Sequence, residues 1–385
     1  MNQKLQQIRQ EAQAAFPERA SVVDGLLASI LAKKHALVIG PPGTAKSALV
    51  RYVAKAFSQT YFEWLMTKFT TPDEVFGPIS LKALEQDRFA RVVAGKLPEA
   101  QVVFLDEVFK SNSAILNSLL TLANERLFHN DGKPLACPLV TMVGASNELP
   151  EGKETEALFD RFLFRAEVGY LVRASNFRSV VTGKDPGAPS VSMSAQELEA
   201  EQAACSSVTV PGDTVEAMVQ VRDLLKAEGI VASDRRWKHS LQLVQASAHL
   251  DGGVETCPED LQILADVLWR DPKDRQVIAR VLGKVADPAA AQAVEIVDSA
   301  RELVAKVQEK LKGPAADHVA AAARAMSQMK DQLKKLRKVK LSAGRRATKS
   351  ISSAEQEIAG FQQDLMQIVS EGYGLAPANG EEKAV

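Results

Sequence analysis

GPPGTAKS, residues 40–47, stands between the apolar run HALVIG (35–40) and the amphipathic run SALVRYVAKAF (47–57). Strand, small-residue turn, helix is the setting that a phosphate-binding loop requires. Of the pattern G-x-x-x-x-G-K-[ST], the first glycine is Gly40 and the final pair is Lys46 and Ser47; the second glycine is replaced by Ala45. Backbone N–H groups of such a turn, together with the N-terminus of the helix behind it, form an anion site. The expected nucleotide contacts are therefore Gly40, Pro41, Pro42, Gly43, Thr44, Ala45, Lys46 and Ser47. Lys46 is placed to reach the β- and γ-phosphates, and the Ser47 hydroxyl to ligate Mg²⁺. Glycine is wanted where the backbone nears phosphate or takes positive φ. An alanine held left-handed there costs about 1–2 kcal/mol, which an otherwise complete site absorbs.

Three later stretches decide whether the site is complete. VVFLDE (102–107) is an apolar run ending in two carboxylates. Asp106 at the strand end is suited to holding Mg²⁺ through water, and Glu107 to polarising an attacking water. A strand that merely ends in a solvated acidic turn would look the same. Its place about 60 residues after the loop, one helix–strand unit on, favours the site. VGASNELP (143–150) ends a strand in Ser146 and Asn147, where open α/β sheets put ligands; Asn147 orients a water there or is an ordinary turn residue. ALFDRFLFR (157–165) brings Arg161 and Arg165 just before the last strand. Either arginine completes a neighbouring subunit's site or closes a surface salt bridge.

The 385 residues exceed one ordinary domain. Apolar runs alternate with helical patterns over 1–182, which predicts an α/β nucleotide-binding domain built on a parallel sheet. The aromatic cluster FEWLM (62–66) reads as core. FGPISLKALEQDRFARVVAGKLPEA (76–100) and RLFHNDGKPLACP (126–138) interrupt the rhythm as hairpins, the second with the turn pair Asp131-Gly132. Residues 183–213, rich in Gly, Pro, Ser and Asp, read as a linker, and 214–287 as an all-α lid. Over 288–373 three sets of apolar residues step by three and four: Ala293 to Leu311, Val319 to Leu336, and Ile351 to Ile368. With breaks at Gly313-Pro314 and SAGRRATKS, they predict an antiparallel three-helix coiled-coil arm. The tail 374–385 reads as disordered.

A net charge of −1 gives the chain no electrostatic reason to seek nucleic acid or an anionic membrane. No apolar run approaches the roughly 18–20 residues that span a bilayer. The three cysteines lack C-x-x-C spacing, which fits a reducing cytoplasm. Between 324 and 349, ten Lys or Arg face one acidic residue, Asp331. With no aromatics interleaved for base stacking, the run reads as a solvated or partner-facing helix surface.

In this order, loop, FLDE, polar strand end, DRF, linker and helical domain resemble an AAA+ ATPase. More narrowly, GPPGTAKS, TPDEVFGPISL (71–81), KLPEAQVVFLDEVFK (96–110), NELPEG (147–152) and DRFLFR (160–165) look like the MoxR family, in its RavA-like branch. SDRRWKHSLQLVQASA (233–248) is similar to that branch as well. The resemblance covers about residues 10–285. It implies that Lys46 and Ser47 belong to Walker A, Asp106 and Glu107 to Walker B, and Asn147 to sensor 1. It makes Arg161 the arginine finger and Arg235 the sensor 2 residue, reaching from the lid to the γ-phosphate, with Arg236 as its neighbouring alternative. The two hairpins would be the helix-2 and pre-sensor insertions. ATP and Mg²⁺, a hexameric ring, a von Willebrand factor A domain partner and remodelling or maturation of a protein client are implied with them. RavA-type proteins carry a β-rich insertion in the C-terminal helical region. The heptad arm stands in its place here, so a partner that depends on that insertion, such as a lysine decarboxylase, is not implied.

The competing expectation from another class is a nucleotide-gated scaffold, its arm the binding surface and its hydrolysis incidental. A DNA-remodelling motor is disfavoured by the neutral charge.

Overall fold

Apolar runs without polar alternation form strands only where both sheet faces are covered, and the chain places them there. The computed structural model describes residues 2–57, 59–183, 185–310, 315–341 and 345–372. Helices α1 (Gln3–Ala15) and α2 (Ala20–Leu31) lead into β1 (His35–Ile39), every residue of which is buried. There follow α3 (Lys46–Lys55), β2 (Tyr61–Leu65), the short α4 (Pro72–Phe76) and α5 (Leu81–Leu84), β3 (Val102–Asp106) and α6 (Ser113–Glu125). The hairpin β4 (Leu127–Asn130) and β5 (Lys133–Ala136) precedes β6 (Thr141–Ser146), α7 (Lys153–Arg161) and β7 (Phe162–Glu167).

Five parallel strands lie in the order β2-β3-β6-β1-β7. Leu37 stands opposite Gly144 on one side and Arg165 on the other, and Leu105 meets Gly144 from β3. The chain leaves β1 for the far edge and returns to fill the gap, so the loops after β1, β3 and β6 open side by side. That crevice at the strand ends is where such sheets hold ligands.

Three expectations change. FEWLM is only partly core: Phe62 and Met66 are buried, but Leu65 is 58% exposed and Trp64 half-buried, because β2 is an edge strand with one face toward water. Residues 76–100 do not form a strand hairpin. A single antiparallel bridge, Ile79 to Arg91, closes an excursion that carries α5, which Ser80 caps through Ala83 N. The stretch 183–213 is no open tether. It holds α9 (Ala195–Ser206), started by a reciprocal capping box between Ser194 and Glu197 and docked by Gln202, whose Nε2 donates to the Ile30 carbonyl at 3.0 Å. The β4–β5 hairpin forms as expected, with Asp131 and Gly132 both at positive φ.

Beyond β7 the elements are helical: α8 (Ala174–Thr182), α9, α10 (Gly212–Ala227), α11 (Asp234–Leu250), a 3-10 segment (Pro258–Asp266) and α12 (Asp274–Ala286). Leu243, Val244, Leu261, Leu264 and Trp269 form the lid core. Two buried arginines fasten this lid to the sheet. Arg165, 1% exposed, lies 3.7 Å from the Phe159 ring centroid and donates to the Trp269 carbonyl at 2.5 Å. Arg236, 5% exposed, donates to the carbonyls of Val267 at 2.6 Å and Leu163 at 2.8 Å. A buried guanidinium is tolerated only with such partners.

The chain divides into two compact units between Ile278 and Ala279. The second contains α13 (Pro288–Lys310), α14 (Ala315–Leu341) and α15 (Arg345–Gly372). One core joins Ala293, Val297, Ala300 and Val307 with Ala322, Met329 and Leu336, and with Ile351, Ala354, Ile358 and Leu365. Val304, Met326, Leu333 and Phe361 pack partly buried against it. The heptad spacing thus marks the faces that meet. Helix α15 starts at Arg345, within the expected break, since nothing from Arg345 to Ser350 stops a helix. Leu311, Gly313-Pro314, the tail 374–385 and the side chains of Val319 and Ile368 lie outside the described residues.

Candidate nucleotide site

The loop leaves β1 at Gly40, whose N–H donates to the Ser146 carbonyl at 3.0 Å. A Cβ there would stand 2.0 Å from the Val168 carbonyl oxygen, so glycine is required. Gly43 has φ 77° and Ala45 φ 62°, ψ 25°. Ala45 therefore occupies the left-handed conformation that the missing glycine would have taken. It is also the N-cap of α3, a helix with no side-chain cap and no acidic residue in its first turn, which leaves that terminus suited to an anion. Glycine at 45 would relieve about 1 kcal/mol of strain and add back a similar unfolded-state entropy. We expect Ala45→Gly to leave ATP affinity within about tenfold by calorimetric titration. A larger gain would show that Ala45 compromises the loop.

Lys46 is 8% exposed, and its Nζ donates to the carbonyls of Gly40 at 2.7 Å and Pro41 at 3.0 Å and to Asn147 Oδ1 at 2.9 Å. Burial lowers its pKa, while Asp106 and Glu107 act in the opposite direction. Ser47 Oγ donates to Asp106 Oδ2 at 2.9 Å, so two hard oxygen donors sit together as Mg²⁺ prefers. Asp106 Oδ1 accepts from the Glu107 N–H at 3.0 Å. Glu107 is itself left-handed, φ 53°. Its Oε1 accepts from Asn147 Nδ2, and its buried Oε2 accepts no hydrogen bond among the described residues. Five residues chosen from the sequence, Lys46, Ser47, Asp106, Glu107 and Asn147, thus form one connected network.

Arg161 and Arg235 lie elsewhere. They line a cavity of about 300 Å³ with Lys34, Asn124 and Arg126. Arg235 donates to Asn124 Oδ1 at 2.8 Å, and the adjacent Ala123 carbonyl lies 3.0 Å from His35 Nε2. His35 begins β1, whereas the loop leaves its other end, about 16 Å away at 3.3 Å per residue. Arg235, expected at sensor 2, thus stands at the strand starts, away from the Lys46 of its own chain. The lid docks at the strand starts because Arg236 binds the carbonyls of Phe162 and Leu163, the first two residues of β7. Arg165 and Arg236, the alternatives for finger and sensor, are sequestered in the lid–sheet joint. Arg161 keeps its Nε buried without a hydrogen-bond partner among the described residues, and its side chain is 23% exposed.

A family model described as the MoxR domain in the MoxR-vWA-beta-propeller ternary systems matches residues 3–202, over half of the chain. The chain belongs to the MoxR family. An AAA lid domain model matches residues 213–282 of this MoxR protein, making it an AAA+ ATPase relative with a helical lid. An uncharacterized protein of Methanocaldococcus jannaschii is 40% identical over 310 residues, 80% of each chain. Chaperone MoxR1 of Mycobacterium tuberculosis is 28% identical over 156 residues, 39% of this chain and 40% of that protein. In fold, a candidate ATPase from Cytophaga hutchinsonii superposes with a TM-score of 0.59 at 20% identity, covering 73% of this chain and 94% of that one.

Some charged groups of this MoxR protein escaped the motif reading. Lys110, three residues after Glu107 in DEVFK, places Nζ 3.3 Å from Glu107 Oε2. Arg126 places Nη1 2.5 Å from His35 Nε2; burial, with Arg126 behind it, pushes His35 down to about 3, so the ring is neutral at physiological pH. Burial lowers Lys34 too, helped by Arg126 and Arg235. Lys33, Arg126, Arg161, Arg235 and Arg236 make this cavity strongly cationic, with Asp160 the acidic residue in its lining.

Proposed function

We propose that this MoxR protein is a Mg²⁺-dependent ATP hydrolase that acts as a ring, hexameric on the AAA+ pattern, to remodel or mature a protein partner. The observation that carries this reading is Asn147, joined at once to Lys46 and to Glu107, with Ser47 and Asp106 paired beside them. Phosphate binding, metal holding and base positioning belong to one network. Lys46 and the backbone N–H groups of the loop hold the β- and γ-phosphates. Ser47 and Asp106 would hold Mg²⁺, which would supply charge neutralisation to the phosphates. Glu107 takes the proton of the attacking water, and Asn147 keeps base and lysine in register. Catalysis is then positioning plus electrostatics.

Arg161 and Arg235 serve the site of the adjacent subunit, as finger and sensor. Their shared cationic cavity, remote from their own Lys46, supports that assignment and requires a head-to-tail contact. A mixing experiment tests it. Lys46→Ala and Arg161→Ala proteins are each inactive alone, but an equimolar mixture regains about a quarter of wild-type ATPase, since half the intact loops meet an intact arginine. A mixture as inactive as its components would sink the shared site.

A von Willebrand factor A domain protein is the partner we propose, supported by the description of the matched family model. The excursion at 76–100 and the hairpin are tied together: Arg88 pairs with Asp131 at 2.8 Å, and Asn130 Oδ1 accepts from Arg91 N at 2.7 Å. Together they expose Leu81, Phe89, Val92 and Leu135, apolar surface that suits a protein partner. No helix among the described residues is long and apolar enough to cross a membrane, and Cys137, Cys205 and Cys257 are free. We place this activity in the cytoplasm.

A further inference from the structure

Glu107 precedes a single 3-10 turn, Val108–Lys110. The turn brings the third residue back over the first: Lys110 N–H donates to the Glu107 carbonyl at 2.9 Å, and Lys110 Nζ stands 3.3 Å from Glu107 Oε2. The two carboxylate oxygens are therefore unlike. Oε1 is engaged by Asn147, while Oε2 is buried, accepts no hydrogen bond among the described residues and has the Lys110 ammonium as its charged neighbour. The end torsion of a glutamate is broad and roughly two-fold. One hydrogen bond from Asn147 does not fix which oxygen faces outward. Asn147 is also shared with Lys46, so its hold on Glu107 is tied to the state of the phosphate site. The hold of Lys110 is not, because it comes from the turn that Glu107 itself begins.

We propose that Lys110 is a positioning residue for hydrolysis, fixing the Glu107 carboxylate so that Oε2 is the oxygen offered to water. The Lys110 ammonium supplies a point charge at one edge of the carboxylate. The Lys110 side chain is 45% exposed, so its ammonium reaches the buried oxygen from the solvent side. The left-handed backbone at Glu107 has the same consequence. With φ 53°, an ordinary extended exit from β3 is replaced by the tight turn that makes the 107–110 contact possible.

This role rests on Glu107 being the base, and the test separates the two. Lys110→Met should lower kcat about tenfold or more through misplacement of the base, with ATP Kd kept within about twofold. Lys110→Arg, which keeps the charge, should stay within about threefold of wild type. Independently of turnover, Lys110→Met should lower the Tm of the nucleotide-free protein by about 1–3 °C, and that shift should vanish in a Glu107→Gln background, as coupled partners require. Equal Tm shifts in both backgrounds, or an unchanged kcat in a protein that hydrolyses ATP, would overturn the role of Lys110. A wild-type protein that binds ATP without hydrolysing it would instead overturn Glu107 as base, and the proposal with it, even where the Tm coupling is seen.

Discussion

Glu107→Gln protein binds ATP as wild type does and turns it over about 10²- to 10⁴-fold more slowly, the range that a positioned base contributes. The substitution is close to isosteric, and the amide oxygen can still accept from Asn147 Nδ2 as Oε1 does now. Lys46 keeps its bonds to the Gly40 and Pro41 carbonyls and to Asn147, so the phosphate cradle is untouched. What disappears is the charge on Glu107 Oε2, which accepts no hydrogen bond among the described residues. Single-turnover hydrolysis beside equilibrium ATP binding separates the two effects. Turnover above about a tenth of wild type would remove Glu107 from the base role. If the expectation holds, the variant is also the form in which to capture a partner, since a ring arrested with ATP retains what hydrolysis would release.

The part of this site that was legible in the sequence is the part made by strand ends. Lys46, Asp106 and Asn147 each follow an apolar run, and a parallel sheet brings such ends together whatever the intervening insertions do. The heptad residues of α13–α15 were legible for a similar reason, since a periodicity of three and four is local. What could not be read depends on contacts across long stretches of chain. The lid position is set by Arg236 on the carbonyls at the start of β7 and by Arg165 on Trp269, 104 residues away. No local pattern in SDRR distinguishes a buried fastening such as Arg236 from a residue free to act as a sensor. Lys110 was missed because its reach to Glu107 needs a left-handed backbone at an acidic residue, which propensity disfavours. Helix α9 did have a signature, Ser194 followed by Glu197, obscured by the turn-forming residues around it.

Lys46→Ala should weaken ATP binding by about 10²-fold or more, a different failure from that of Glu107→Gln. Hydrogen bonds to charged groups contribute about 1.5–3 kcal/mol each, and two lost phosphate contacts correspond to roughly 10²- to 10⁴-fold in Kd. The surroundings of Lys46 add to this loss. Without the ammonium, the Gly40 and Pro41 carbonyl oxygens that now accept from it would turn uncompensated negative dipoles toward the phosphates. Asn147 would lose the donor on its Oδ1 and keep only Glu107, so the amide would no longer be held between phosphate and base. The loop backbone should persist, because Gly40 N–H bonds to Ser146 and α3 packs through Leu49, Val50 and Val53, all buried. An intact thermal transition with lost nucleotide binding is therefore the expected pair of results. A Kd within about threefold of wild type would mean that the helix terminus and backbone alone hold the anion, and Lys46 would then owe its burial to the network with Asn147.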